Sequence, residues 1–359
     1  MIDTIENDRF RVQVNRLGAE LWSVYDKLEQ RECLWQGDPA VWPRRAPNLF
    51  PVCGSLRGGA ALFDGVPRTI PLHGFLRDYD HALAEHSAGR LLYRFTDSEE
   101  TRAMYPFAFC VETEFVLEES GLRQTFTVTN TGSRELPFSI GYHTGWMCPF
   151  DASHSISDYR LVLEREETAD RVVNRDLVIC GREPYLRGER TIELRDGVLT
   201  PNLVLEGLRS RWLRIEEKDT GRFTQIGIGG FPVVVLWSVP EHMPFVCVEP
   251  WHGLFEPAEP YGEFSEKPLV RRTAPGEQFS CCMQAYFGRA PLWPAAHRGA
   301  VKVKLILCSM SAYSHGIFVS IFINSSLRSL SWPFRTSSPI SSMTLFRFSA
   351  SGSFFSGAA

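Results

Sequence analysis

Residues 109–133 read FCVETEFVLEESGLRQTFTVTNTGS. Val111, Thr113 and Phe115 alternate with Glu112 and Glu114, a Glu-Glu-Ser-Gly turn follows, and a second alternating run leads away from it. Successive side chains on a strand point to opposite faces, so two period-2 runs around a short turn predict an antiparallel hairpin. The same pattern recurs on both sides, as FRVQV, GAELWSVYD and RLLYRF before the hairpin and as RWLRIEE, FTQIGIGG, PVVVLWSV and PFVCVEP after it. No long amphipathic helix interrupts these runs, which disfavours a doubly wound α/β sheet. Pro and Gly never gather into a linker, and no repeat of 20–50 residues is found. The expected fold is all-β: one large antiparallel β-sandwich domain over residues 1–289.

The chain has 359 residues, of which 44% are hydrophobic and 22% charged, ample material for a globular core. A net charge of −4 without a dense Lys/Arg cluster argues against a nucleic-acid partner. Nine scattered cysteines without a C-x-x-C pair make structural disulfides and a cysteine zinc site poor expectations. The N-terminal MIDTIENDRF has neither a basic nor an apolar leader segment, so the expected location is the cytoplasm. The phosphate-loop, zincin and hydrolase-elbow motifs are absent.

Three segments place ionisable groups at the ends of strand-like runs beside Gly or Pro: PLHGFLRD (71–78), FSIGYHTGW (138–146) and FVCVEPWHG (245–253). Backbone that turns there presents side chains to a cleft, although capping polar residues at strand ends would look the same. Glu249 is the most informative residue, because it follows FVCV and precedes Pro250 and Trp251. Desolvation against such neighbours raises a carboxyl pKa and suits it to proton transfer near neutrality.

Taken in order, GAELWSV (18–24), LWQGDPAVW (34–42), APNLFPVCG (46–54), HGFLRD (73–78), YPFAF (105–109), PFSIGYH (137–143), FVCVEPWHG (245–253) and APGEQF (274–279) resemble the aldose 1-epimerase (galactose mutarotase) superfamily, most closely its LacX-like branch. The resemblance covers nearly all of residues 1–289. It implies a β-supersandwich that binds a small-molecule sugar in an open cleft, with no metal and no organic cofactor. The family's general acid matches His143, its general base Glu249, and a substrate-orienting histidine His73. The two catalytic groups are expected on opposite sides of one cleft, close enough for a single pyranose to touch both. Opening the ring needs a base to take the anomeric hydroxyl proton while an acid protonates the ring oxygen, tasks that carboxylate and imidazole perform near pH 7.

The chain departs from the family in three places. Thr144, Gly145 and Trp146 follow the acid histidine where relatives usually have Pro, a change expected to reorient the loop that holds His143. A sugar-binding aspartate falls near Asn202, whose amide still hydrogen-bonds but brings no charge. An arginine that precedes the HGG of mutarotases has no secure counterpart, since Pro51 lies near its place. Arg77 resembles an arginine of the related hexose-6-phosphate 1-epimerases, and Arg44 or Arg45 would join it, because guanidinium matches phosphate oxygens. The competing reading of Arg77 is a surface pair with Asp78 or Asp80. The leading expectation is therefore a mutarotase for a free hexose; its rivals on the same scaffold are a hexose-6-phosphate 1-epimerase and a non-catalytic carbohydrate-binding protein.

Composition changes abruptly near the end of the chain. Seven of the 38 Lys/Arg follow Glu277 but none of the 42 Asp/Glu does, so residues 1–277 carry a net charge of −11. Residues 290–359 are rich in Ser and Phe without a sustained period, and are expected to lie outside the fold as an expression scar, a read-through or a frame-shifted end. A membrane anchor competes, since residues 305–327 carry no charge; yet His315, Asn324 and six serines make a poor span, and no membrane partner is expected. Truncation at residue 290 should leave solubility, melting temperature and turnover unchanged. Unfolding of the truncated chain would place the tail in the core.

Overall fold

The computed structural model describes residues 1–290 in full and, beyond them, only the backbone of the strands Ala312–Tyr313, Gly316–Ile321, Leu330–Phe334, Leu345–Phe348 and Phe354–Gly357. Two units are distinguished, Met1–Leu292 and Trp293–Ala359. In the second, the first three of these strands form an antiparallel sheet and the last two a hairpin. The sequence pattern predicts no elements there, although GIFVSI has the β-branched and aromatic content of a strand. The expected nature of residues 290–359, tail or anchor, otherwise lies outside the described residues. No helix among the described residues is long and apolar enough to cross a membrane.

The first unit is the expected antiparallel β-sandwich. The strands Ile2–Glu6, Phe10–Asn15, Glu20–Asp26 and Arg31–Glu32 form a four-stranded meander. A much larger antiparallel sheet of fifteen strands runs from Asn48–Leu49 at one end to Ala82–Ser87 at the other. Phe10, Val12, Leu21 and Val24 of the meander share one core with Phe115, Phe126 and Phe287 of the large sheet, and the Phe10 and Phe287 rings lie 5.4 Å apart. The single α-helix among the described residues is the six-residue Glu99–Met104.

The 109–133 segment forms the hairpin its pattern predicts, with Phe109–Glu118 paired to Gly121–Asn130 from Phe109↔Asn130 to Glu118↔Gly121. Phe109, Val111, Thr113 and Phe115 are buried, while Glu112 and Glu114 face outward to Arg94 at 2.8 Å and Arg90 at 2.7 Å on the adjoining strand Arg90–Thr96. Such half-exposed pairs contribute only ~0–1 kcal/mol each. Burial of a Phe side chain contributes about 1.5–3 kcal/mol, so the inward face decides the register.

Packing also explains Gly121 at the end of the turn. A Cβ built there would lie 1.8 Å from the Ala285 carbonyl oxygen on the neighbouring strand Gln278–Arg289. Gly121→Ala must therefore push two paired strands apart and should cost on the order of 1–3 kcal/mol. Thermal or urea unfolding reads this directly, and a variant as stable as the parent would show that the strands do not approach so closely.

Candidate active site

The strand Phe245–His252 is buried at all eight positions, flanked by Val233–Trp237 on one side and by Ile140–Tyr142 and Thr144–Met147 on the other. Alternation sends Val246 and Val248 into the main core and turns Cys247, Glu249 and Trp251 the opposite way. Pro250 has no N–H to offer the ladder, and the strand facing it is interrupted at His143. Pairing resumes in the same register on both flanks, Gly141↔Trp251 and Thr144↔Val248, so His143 falls opposite Glu249. His143 Nδ1 lies 3.5 Å from Glu249 Oε1. The two residues thus share one wall instead of facing each other across a cleft, because neighbouring strands of one sheet carry them. Thr144 does not displace His143 into a loop, since unlike Pro it keeps an N–H and its pairing with Val248 begins at once.

Both residues line a pocket of about 640 Å³. His73, Arg77 and Asn202 line it too, so five of the six residues singled out from sequence converge there. Arg45 does not. Its guanidinium donates to Trp22 O at 2.7 Å and Gln36 Oε1 at 2.6 Å and lies 4.0 Å over the Trp22 ring, which holds it away from the pocket. Arg44 is drawn to Asp78 at 2.7 Å.

His73 has φ of +64° and is followed by Gly74, where a Cβ would sit 2.0 Å from Phe50 O; only glycine permits this close pass beneath the pocket. Its Nδ1 accepts a hydrogen bond from Gly54 N at 3.1 Å, which places the ring proton on Nε2 and makes that nitrogen a donor. Its ring meets that of His143 edge-on at 5.2 Å. Asn202 Oδ1 accepts from Asn174 Nδ2 at 2.7 Å, leaving the Asn202 amide N–H groups available. Arg77 is largely enclosed, with its side chain 14% exposed; Nη2 donates to Leu72 O at 2.6 Å, and the buried Nε has no acceptor. Asp78 stands 3.8 Å from that Nε, an ion pair without a hydrogen bond, so the expected pairing with Asp78 is present although the guanidinium itself is largely enclosed.

Burial dominates the electrostatics. It pushes the Glu249 carboxyl well above its ordinary range and lowers His143 to about 3, with Arg77 and Arg44 adding to the fall. His73 is lowered well below its usual value by burial, then by His143 and Arg77. Both partners of the central pair are therefore favoured neutral, as carboxylic acid and imidazole. They lie one proton transfer from the carboxylate–imidazolium form.

Sequence reasoning missed the aromatic frame and the far wall. Trp42 stacks on His143 at 5.1 Å, and Trp237 meets it edge-on at 5.8 Å. The far wall is the tip of a long hairpin, Tyr159–Arg175 with Val178–Glu193, which brings Asn174, Arg175, Asp176 and Leu177 to the pocket. Four register shifts break its period-2 pattern, which hides it in the sequence. Asp176 and Leu177 both adopt positive φ at the turn, and the tip is tied down where Ile179 N donates to Glu256 O at 2.8 Å and Glu256 N to Leu177 O at 3.2 Å.

Residues 2–268 match the family described as Aldose 1-epimerase. Protein LacX of Lactococcus lactis subsp. lactis is 29% identical over 282 residues, covering 76% of this chain and 94% of that protein. Among solved structures, a galactose mutarotase related enzyme from Lactobacillus acidophilus superposes with a TM-score of 0.77 at 27% identity, covering 80% of this chain and 97% of that one. A galactose mutarotase-like protein from Lactobacillus casei ATCC 334 gives 0.72 at 26% identity, covering 80% and 100%. With its sandwich, its ordered motifs and this match over most of its length, the chain belongs to the aldose 1-epimerase family.

Proposed function

We propose that the protein interconverts the α and β anomers of a free hexose, with His143 as acid and Glu249 as base. The observation that carries this reading is the register that sets the two groups 3.5 Å apart on the wall of a pocket of about 640 Å³. That volume lies in the usual range for small-molecule sites, and Trp42, Trp237 and Trp251 offer it the flat apolar faces that suit the C–H surfaces of a pyranose. We assign the activity to residues 1–289.

In this mechanism the resting pair shifts one proton from Glu249 to His143 as sugar hydroxyls enter and solvate the charges. Nδ1 faces Glu249, which leaves Nε2 of His143 for the sugar. The carboxylate removes the anomeric hydroxyl proton while the imidazolium protonates the ring oxygen and the C1–O5 bond breaks. Rotation about C1–C2 presents the other face of the aldehyde, and the transfers reverse to close the second anomer. His73 Nε2–H and the Asn202 amide hold hydroxyls in place. Glu249→Gln keeps a neutral, near-isosteric group in the buried position and should preserve folding while slowing anomer exchange by roughly 100-fold or more. His143→Asn should do the same. NMR exchange or polarimetry on freshly dissolved pure anomers measures both, and full activity in either variant would move that role elsewhere; inactivity of the parent on every sugar would favour a binding protein.

A second reading, a hexose 6-phosphate as substrate, draws on Arg77, whose enclosed Nε lacks an acceptor at the pocket edge. If it holds, Arg77→Ala should weaken sugar-phosphate binding by the ~1.5–3 kcal/mol of a hydrogen bond to a charged group and leave free hexose nearly unaffected. Affinities for glucose, galactose and glucose 6-phosphate before and after substitution decide between the two. Equal small effects on all three favour the free sugar.

A further inference from the structure

The alternation that turns Glu249 out of the main core turns Cys247 the same way two residues earlier, and the interrupted strand places His143 beside both. One donor atom from each of His143, Cys247 and Glu249 lies within 4.8 Å of the other two. The 3.5 Å between His143 Nδ1 and Glu249 Oε1 is close to the roughly 3.3 Å that separates two ligands held at ~2.0 Å by one tetrahedral zinc ion. Glu249 is 1% exposed, and its Oε2, like His143 Nδ1, is buried without a hydrogen-bond partner. Acid–base ring opening uses the imidazole and the carboxylate but has no task for the thiol.

We propose that His143, Cys247 and Glu249 form a three-ligand site for a zinc-type divalent cation, with a fourth position open to the pocket. On binding, the thiol and carboxyl protons leave to solvent, and the neutral imidazole gives a nitrogen lone pair. Thiolate and carboxylate then balance the double positive charge, so the filled site is neutral overall, as its burial and the nearby Arg77 and Arg44 require. The sulfur and nitrogen donors suit zinc or cobalt and exclude the hard cations that seek all-oxygen shells. An ion held here takes the Glu249 oxygen that would accept the anomeric proton and blocks the proton shift from Glu249 to His143 Nδ1, so it acts as an inhibitor of anomer exchange. That last consequence alone rests on the proposed reaction.

The test uses the full chain with the exposed Cys180 replaced by Ser, titrated with Co²⁺ and followed by absorbance. The expected result is one equivalent bound, with a near-ultraviolet thiolate-to-cobalt band and the strong visible bands of tetrahedral Co(II), all bleached by Zn²⁺. Cys247→Ser should abolish the thiolate band and weaken Zn²⁺ binding by more than the roughly 10–100-fold that loss of an outer-shell partner costs. A band that survives Cys247→Ser, or a weak octahedral spectrum, overturns the proposal. X-ray absorption of the zinc-loaded chain with Cys247 intact tests it without that substitution: one sulfur beside nitrogen and oxygen ligands supports the site, and a shell without sulfur overturns it. These readouts need no turnover, so failure of the metal site and failure of the epimerase reading are separable. In the activity arm, one equivalent of Zn²⁺ should slow anomer exchange at least 10-fold when Cys247 is present, and much less in Cys247→Ser.

Discussion

A carboxyl group in the middle of a fully buried strand is the constraint around which this molecule is arranged. Glu249 is 1% exposed, and an isolated carboxylate there would carry a large desolvation cost. The protein meets that cost by keeping the acid neutral and setting a neutral imidazole beside it. Pro250 is part of the same arrangement, because it removes one N–H from the ladder where the facing strand breaks and leaves His143 at the gap. The pair is poised because it is buried: either group in water would hold its ordinary charge and gain nothing from the other.

The rest of the pocket is built outward from that strand by segments that supply different chemistry. The HGFLRD segment contributes a histidine whose tautomer is set by Gly54 N and an arginine held at the rim by Leu72 O. The tryptophans exclude water from His143 and strengthen every electrostatic interaction inside. The Tyr159–Glu193 hairpin closes the far side, and its strained tip persists because Glu256, just beyond the Phe245–His252 strand, bonds to it through its backbone. Wall and floor are therefore mechanically linked.

Much of this architecture is legible in the order of the residues. The 109–133 hairpin is readable because its inward face is apolar or Thr on the first strand and broken only by Gln124 and Asn130 on the second, while its outward face pairs with arginines across the sheet. His73, Arg77, His143 and Glu249 stand out because ionisable groups sit at the ends of strand-like runs, Asn202 is legible only through the family resemblance, and all five reach one pocket. Arg45 misleads, since a guanidinium near a candidate site reads the same whether it faces a ligand or stacks on Trp22. The long hairpin escapes such a reading because its bulges destroy the alternation by which strands are recognised.

The sequence by itself determined the fold class, the order of the strands' apolar faces and the short list of candidate site residues, because period-2 alternation, turn chemistry and motif order are read directly along the chain. Only the tertiary structure decided that His143 and Glu249 sit side by side instead of across a cleft, since that depends on a register between strands 106 positions apart. It likewise decided which arginines face the pocket, that both members of the pair are neutral, and that Cys247 joins them. Register, burial and the competition among neighbours for each hydrogen bond are properties of the packed molecule, and no stretch of chain contains them alone.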